Sequence, residues 1–142
     1  MKLNVIKLII FLFCLPLMLI GAESNPEANI MKANMMAEQG QYGQALKEID
    51  AAIKKAPNSA RAYKIRGHIY IAKEDYQKAL ADLGKVISLA HNQAKPYVDR
   101  AIVHFKMGNK GLAMSDISKA LKINPSDPWT LGVGNKIANE NP

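Results

Sequence analysis

Charged residues at a regular spacing are the side chains in this sequence with the clearest capacity to bind a ligand. Two sets recur at one constant interval along the chain: the basic residues Lys32, Arg66 and Arg100, and the acidic residues Glu48, Asp82 and Asp116. A basic ladder of this kind could bind an anion. Because an acid accompanies each base in all three copies, we instead expect ion pairs between neighbouring helices, Arg66 with Asp82 or Glu48 and Arg100 with Asp116 or Asp82. Such pairs are individually worth about 0–1 kcal/mol.

The three histidines, His68, His91 and His104, belong to no recognisable catalytic or metal-binding motif. The single cysteine, Cys14, lies in the N-terminal apolar stretch, so the folded part offers no disulfide, zinc site or cysteine nucleophile. No Ser-His-Asp order, nucleophile elbow or glycine-rich phosphate loop is present. We therefore expect no catalytic residue, no metal and no cofactor. An enzyme subunit that uses His68, Glu38 and Lys106 is the alternative from another functional class.

The elements that position these side chains are three segments with the same internal pattern. The segment 60–93 aligns without insertion or deletion with the preceding segment 26–59 and the following segment 94–127. Within each predicted helix the apolar residues fall at i, i+3, i+4 and i+7, as Tyr76, Ala79, Leu80 and Leu83 show. The repeat period is 34 residues. A fixed period of this length is typical of stacked two-helix units.

The repeated residues resemble those of the tetratricopeptide repeat. The middle copy carries Tyr63, Gly67, Tyr70, Ala79 and Leu83; the third carries Tyr97, Ala101, Ala113, Ala120 and Pro125; the first carries Ala33, Ala45, Ala52 and Pro57. The resemblance implies an all-α solenoid (an alpha-solenoid) of three helix hairpins, over residues 26–59, 60–93 and 94–127. Residues 128–142 are predicted to form a C-terminal capping helix and tail.

The turn and capping residues predict where each helix begins and ends. The predicted helices are 27–38, 42–55, 60–72, 76–89, 94–106 and 110–123, with a shortened seventh helix at 129–138. Turns are expected at residues 40–41, 74–75 and 108–109, and Asn58 or Ser59 can cap the third helix. Small residues such as Gly67 and Ala79 fall where the two helices of a hairpin must approach closely.

The N-terminus has the pattern of a secretory signal peptide. Lys2 and Lys7 precede an uncharged run over residues 8–22, and the small residues Gly21 and Ala22 end that run. As a helix the run would span roughly 22 Å, short of a hydrocarbon core of about 30 Å. We expect cleavage near Ala22 and export to the periplasm or the medium. An uncleaved membrane anchor is the alternative, with the folded part outside the cytoplasm.

The resemblance also implies a binding surface on the concave face, which is lined by the first helix of each hairpin. The candidate partner-binding residues on that face are Ile30, Asn34, Arg61, Lys64, His68, Ile71, Lys95, Ile102, Phe105 and Lys106. The apolar members, Ile30, Ile71, Ile102 and Phe105, stand at positions that the core does not require, so they indicate a groove for a peptide or helix. The alternative is that some of them are simply core.

Some relatives hold the terminal carboxylate of a chaperone tail with a clamp of Lys, Asn and Arg side chains. The matching positions here are Ile30, Asn34, Ile65, Lys95 and Asp99, of which only Asn34 and Lys95 fit. Recognition of that kind is therefore not expected.

Net charge and its distribution bear on the partner class. The formal net charge is +7, but the basic residues are spread over all helices and interleaved with acids. We therefore expect a protein or peptide partner rather than a nucleic acid, and a membrane association only if the N-terminal segment is retained. The function predicted from the sequence is a non-enzymatic, exported interaction module, and a membrane-anchored assembly or scaffold factor is the alternative.

Overall fold

The computed structural model describes residues 25–140, which form seven α-helices and no β-strand. We number them along the chain: α1 Pro26–Glu38, α2 Tyr42–Lys55, α3 Ala60–Ala72, α4 Tyr76–Leu89, α5 Ala94–Lys106, α6 Lys110–Ile123 and α7 Pro128–Asn139. The predicted bounds agree at every residue from α2 to α6 and differ by one residue at the start of α1 and at both ends of α7. The predicted signal peptide lies outside the described residues.

Side-chain caps explain why several helices begin where they do. Ser59, one of the two predicted caps, accepts a hydrogen bond from the backbone N–H of Ala62 at the start of α3. Asp75 caps α4 in the same way, and Asp127 caps α7 by accepting from the N–H of Thr130 at 2.9 Å. These short polar residues satisfy backbone donors that the first helical turn leaves without partners.

The three hairpin turns share one backbone conformation. Residues with positive φ occur at Gly40, Glu74 and Gly108, which occupy the same position in the three successive repeats. In each turn the following residue donates its N–H to the carbonyl of the fifth residue before it, as Asp75 does to Tyr70 at 2.9 Å. Glycine adopts this left-handed conformation freely, whereas Glu74 does so at a steric cost.

Packing within and between hairpins forms one continuous stack. The helices of each hairpin pack on one another, and α2 on α3, α4 on α5 and α6 on α7 connect successive hairpins. The first core cluster combines α1, α2 and α3, with Ile30, Ile49 and Ile69 among its buried side chains. Further clusters surround Leu83 and Val103 in the middle and Ile117 and Ile137 at the C-terminal end.

Helix α7 packs closely on the last hairpin. A Cβ atom placed on Gly134 would come within 3.0 Å of Ile117 Cγ2, so this glycine lets α7 approach α6. The exposed surface of α7 is not wholly polar, because Trp129 and Leu131 are 59% and 43% exposed beside Asn135 and Lys136. Across residues 25–140, no helix has the length and apolar character needed to cross a membrane.

Candidate functional site

The repeating charges form ion pairs inside each hairpin. Arg66 donates from Nε and Nη2 to the two carboxylate oxygens of Asp82, both at 2.8 Å, and Arg100 meets Asp116 in the same way at 2.7 and 2.8 Å. Lys32 pairs with Glu48 in the first hairpin. The prediction of ion pairs is confirmed.

Burial makes these pairs structural. Asp82 and Asp116 are only 4% and 2% exposed, so an anionic ligand would compete with a carboxylate already seated beside each arginine. The hydrogen bond from Arg100 to Asp116 raises the pKa of Arg100 above its ordinary value despite the opposing effect of burial. Arg66 and Arg100 therefore already have buried carboxylate partners within their own hairpins.

The concave-face prediction is wrong for Ile30. Its side chain is only 1% exposed and packs in the first core cluster with residues of α2 and α3, including Ile49 and Ala62. Val98, which stands at the same position of the third repeat, is also 1% exposed. This position therefore packs into the core, and the interpretation that the core does not require Ile30 fails.

The other apolar candidates are half-buried and contribute to both core and surface. Ile71 packs against the middle cluster, and Ile102 and Phe105 pack against the C-terminal one. Each keeps part of its side chain accessible to solvent. These three residues therefore contribute to the core and could also line a groove.

The polar candidates differ in whether they are free. Asn34, His68, Arg61 and Lys95 are exposed but each has a side-chain partner, Lys106 is exposed, and Lys64 is half-buried. Arg61 Nη1 lies 2.7 Å from Glu27 Oε2 of the preceding repeat.

A cleft between α1 and α3 brings several of these residues together. It has a volume of about 260 Å³ and is lined by Asn34, Ala37, Glu38, Tyr42, Ile65, His68, Ile69 and Ala72. Asn34 donates to Glu38 at 2.7 Å on its rim. The cleft combines an apolar floor with an amide, a carboxylate and an imidazole, which suits an apolar side chain of a bound segment.

Asp99 joins α3 to α5 beside this cleft. Its carboxylate lies 3.0 Å from His68 Nε2 and 3.2 Å from Lys95 Nζ, while the residue is only 7% exposed. Burial raises the pKa of Asp99, but the hydrogen bond with His68 and the charge of Lys95 outweigh it, so the pKa lies below its ordinary value. The concave face therefore contains a buried, ionised carboxylate that is already paired with Lys95.

A second and larger cleft lies at the C-terminal end of the concave face. It has a volume of about 470 Å³ and is lined by Ala94, Lys95 and Val98 of α5, by Asn124 and Asp127 of the loop between α6 and α7, and by Trp129 of α7. Sequence reasoning placed Lys95 here but missed Trp129, which was treated only as part of a cap.

His104 is largely enclosed between α5 and α6. Its side chain is 15% exposed, and its Nε2 is 4.0 Å from Asp116 Oδ2. Its Nδ1 atom is buried and finds no hydrogen-bond partner within residues 25–140. Burial lowers the pKa of His104, which keeps the ring neutral at pH 7. In the same part of the chain, no group of three or more His, Cys, Asp or Glu side chains could hold a metal ion.

Comparison with known proteins identifies the repeats. A family model described as the tetratricopeptide repeat matches residues 67–130. The first TPR domain of Spaghetti (RPAP3), bound to the HSP90 peptide SRMEEVD, superposes with a TM-score of 0.75 at 19% identity, covering 80% of this chain and 90% of that one. This chain is a tetratricopeptide-repeat protein.

Two further structures have the same tetratricopeptide fold. The Arabidopsis OM64 TPR domain gives a TM-score of 0.72 at 20% identity, over 79% of this chain and 93% of that one. The first TPR domain of human RPAP3 gives 0.74 at 19% identity, over 80% and 89% of the two chains. No curated protein sequence matches the chain significantly. At these identities the structural similarity establishes the fold alone.

The residue that sequence reasoning missed could have been found from the repeat spacing. Trp129 stands one repeat after Lys95 and two repeats after Arg61, so it occupies the same position of its tetratricopeptide helix as two predicted groove residues. The decisive observation, that its side chain is 59% exposed, required the structure.

Proposed function

We propose that this tetratricopeptide-repeat protein is a non-enzymatic, exported module that binds a segment of a partner protein on the concave face formed by α1, α3 and α5. The fold itself is that of a protein–protein interaction module. The observation that carries the proposal is the cleft between α1 and α3, where exposed Asn34 and His68 surround an apolar floor that includes Ile65 and Ile69. Such surfaces bind through a few apolar anchors within a polar rim.

The mode of binding should differ from that of a terminal-carboxylate clamp. The RPAP3 domain was solved with the HSP90 peptide SRMEEVD. In this chain Ile30 and Ile65 are buried at two of the clamp positions, Lys95 is paired, and Asp99 adds a negative charge. A partner carboxylate would have to displace Asp99 from Lys95. We therefore propose that the partner binds through internal side chains.

Long-range steering should come from the cations that remain free. Lys64 and Lys106 make no ion pair within the described part of the chain, whereas Arg61 and Lys95 do. A segment with acidic residues would be attracted to these lysines, which mainly raises the association rate and its dependence on salt.

The alternative of an enzyme subunit has less support from the geometry. The α1–α3 cleft holds His68 and Glu38, but Lys106 does not line it. His68 is engaged by Asp99 and Glu38 by Asn34, so these groups do not converge on one substrate position. Convergent titrating groups in one pocket are what an active site requires.

A pull-down from the export compartment followed by mass spectrometry tests the proposed interaction. Phe105→Ala should weaken binding of the captured partner by about 2 kcal/mol or more, because half-buried aromatic side chains dominate interfaces. Circular dichroism must show an intact fold, and Lys106→Glu provides an exposed second variant. Lys54→Glu on α2 is the matched control and should bind as the wild type does. Release of the partner by Lys54→Glu alone would move the function to the convex face.

Export is the second part of the proposal and depends on the sequence of residues 1–22. N-terminal sequencing of the expressed protein should find a chain that begins at Glu23, recovered in the soluble exported fraction. A chain that retains Met1 and stays with the membrane would instead support the anchored scaffold. Deletion of residues 1–22 should leave a cooperative thermal transition, since buried clusters that run from Ile30 to Ile137 link the seven helices to one another.

A further inference from the structure

Helix α7 continues the lining of the concave face. Its residues Trp129, Gly132 and Lys136 stand one repeat after Lys95, Val98 and Ile102 of α5. Trp129 shares the C-terminal cleft with Lys95 and Val98. A second recess of about 330 Å³ also includes Trp129 and is lined by Pro128, Trp129, Gly132, Val133 and Lys136.

Trp129 and Gly132 of this surface lie outside the buried core clusters. Trp129 is 59% exposed, although tryptophan is the side chain that gains most from burial at an interface. A Cβ atom on Gly132 would meet nothing within 4 Å, so this glycine leaves open space beside the indole. The buried face of α7, with Thr130, Gly134 and Ile137, is on a different side of the helix.

The charges around the indole are arranged unevenly. Asp127 receives hydrogen bonds from the N–H and the hydroxyl of Thr130, and these bonds lower its pKa, so the N-terminal end of the cleft is negative. Lys95 is held by Asp99 at 3.2 Å. Further along α7, Lys136 is 67% exposed and makes only a long, solvent-exposed ion pair with Glu140, at 4.0 Å, and exposed pairs of this kind are weak. A ligand carboxylate is thus attracted towards Lys136.

We propose that α7 is a working part of the groove and binds an acidic segment of a partner protein. An apolar or aromatic side chain of that segment packs against Trp129, and an adjacent carboxylate pairs with Lys136. The inference rests on the proposed function, because it assigns the chemistry of the segment that the concave face binds. Trp129 and Lys136 are the specificity-determining residues of this end of the groove.

Selection of short random peptides displayed on phage, against the purified protein, identifies the preferred segment. The enriched peptides should contain an apolar residue beside acidic ones. Trp129 is the only tryptophan in the sequence, so its emission reports this site alone. Binding of a synthetic enriched peptide should shift the emission to shorter wavelength as the indole leaves water. Enrichment of basic peptides, or an unchanged emission on binding, would overturn the assignment.

Four variants separate this inference from the wider proposal. Trp129→Ala and Lys136→Glu should each weaken binding of the enriched peptide about tenfold or more. Leu112→Ala and Lys122→Glu alter exposed residues of α6 and should have no effect. The extensive exposure of Trp129 means that its replacement leaves the core intact.

The outcomes distinguish a failure of the α7 assignment from a failure of the concave-face function. If Phe105→Ala weakens binding while Trp129→Ala and Lys136→Glu do not, α7 is only a cap and the groove on α1, α3 and α5 still stands. If neither Phe105→Ala nor Trp129→Ala has an effect, or if no peptide is enriched, the concave-face function is wrong together with this inference.

Discussion

Gly67 offers a quantitative test of how closely the helices of a hairpin approach. It lies in the interior of α3, on the side that faces α4. A Cβ atom placed there would lie 3.5 Å from Asp82 Cβ and 3.6 Å from Leu83 Cγ, which is ordinary van der Waals contact. One methyl group therefore fits, and a longer side chain does not.

The two substitutions at this position should have opposite signs. Gly67→Ala should stabilise the protein by about 1 kcal/mol, since alanine has the higher helix propensity and the space accepts its methyl group. Gly67→Leu should destabilise it by about 1–3 kcal/mol, because the added carbons must displace Leu83 or Asp82. Displacing Asp82 would also disturb its pair with Arg66.

Urea unfolding followed by far-ultraviolet circular dichroism measures both changes. Gly84 supplies the matched control, because it lies inside α4 with nothing within 4 Å of an added Cβ. Gly84→Leu should therefore be neutral or stabilising. If Gly67→Leu proved as stable as Gly84→Leu, the close approach of α3 and α4 described here would be incorrect.

The remaining predictions concern a turn, a histidine and an ion pair. Glu74→Gly should raise the free energy of unfolding by about 1 kcal/mol, since φ is 58° at Glu74 and glycine adopts that conformation without strain. His104→Tyr should reduce the loss of stability as the pH falls below about 6.5, the ordinary histidine pKa. Because the folded-state pKa of His104 is lowered, the unfolded chain binds the proton more readily and gains from acidification. Arg100→Met should cost roughly 3 kcal/mol, because Asp116 would remain buried without its main partner.

Each of these predictions has its own control or contradicting result. Gly108→Ala, at φ 80°, should lose stability where Glu74→Gly gains it. For the histidine, Tm is measured from pH 8 to pH 5, and an unchanged pH profile in His104→Tyr would contradict the argument. For the ion pair, adding Asp116→Asn to Arg100→Met should recover part of the loss, and no recovery would mean that the buried charge is not the cause.

The sequence predicted the helices well because local signals and the repeat agree. The same residue types recur in each repeat, so each helix boundary is supported in all three copies. The repeating basic and acidic residues also occur together in every copy, which predicts their ion pairs. The turn at Glu74 was located in spite of its unfavourable residue, because Gly40 and Gly108 mark the equivalent turns.

The site was predicted less well because the period specifies a helix position but not what covers it. Ile30 was assigned to the groove, yet its side chain is enclosed by α2 and α3. Trp129 was assigned to a cap, yet no later helix covers it within the described residues. The pairing of Asp99 with His68 also depends on the distance between α3 and α5, which no single-sequence pattern encodes, whereas Lys95 lies four residues before Asp99 on the same helix.

The central claim is that the concave face is the working surface, and amide chemical shifts during a titration test it most directly. With backbone resonances assigned, the enriched peptide is added stepwise to the ¹⁵N-labelled protein and shift changes are mapped on the helices. The account predicts that the largest changes fall on α1, α3, α5 and α7, at residues such as Asn34, His68 and Phe105. Changes confined to α2, α4 and α6 would show that the partner binds the convex face and would contradict the account.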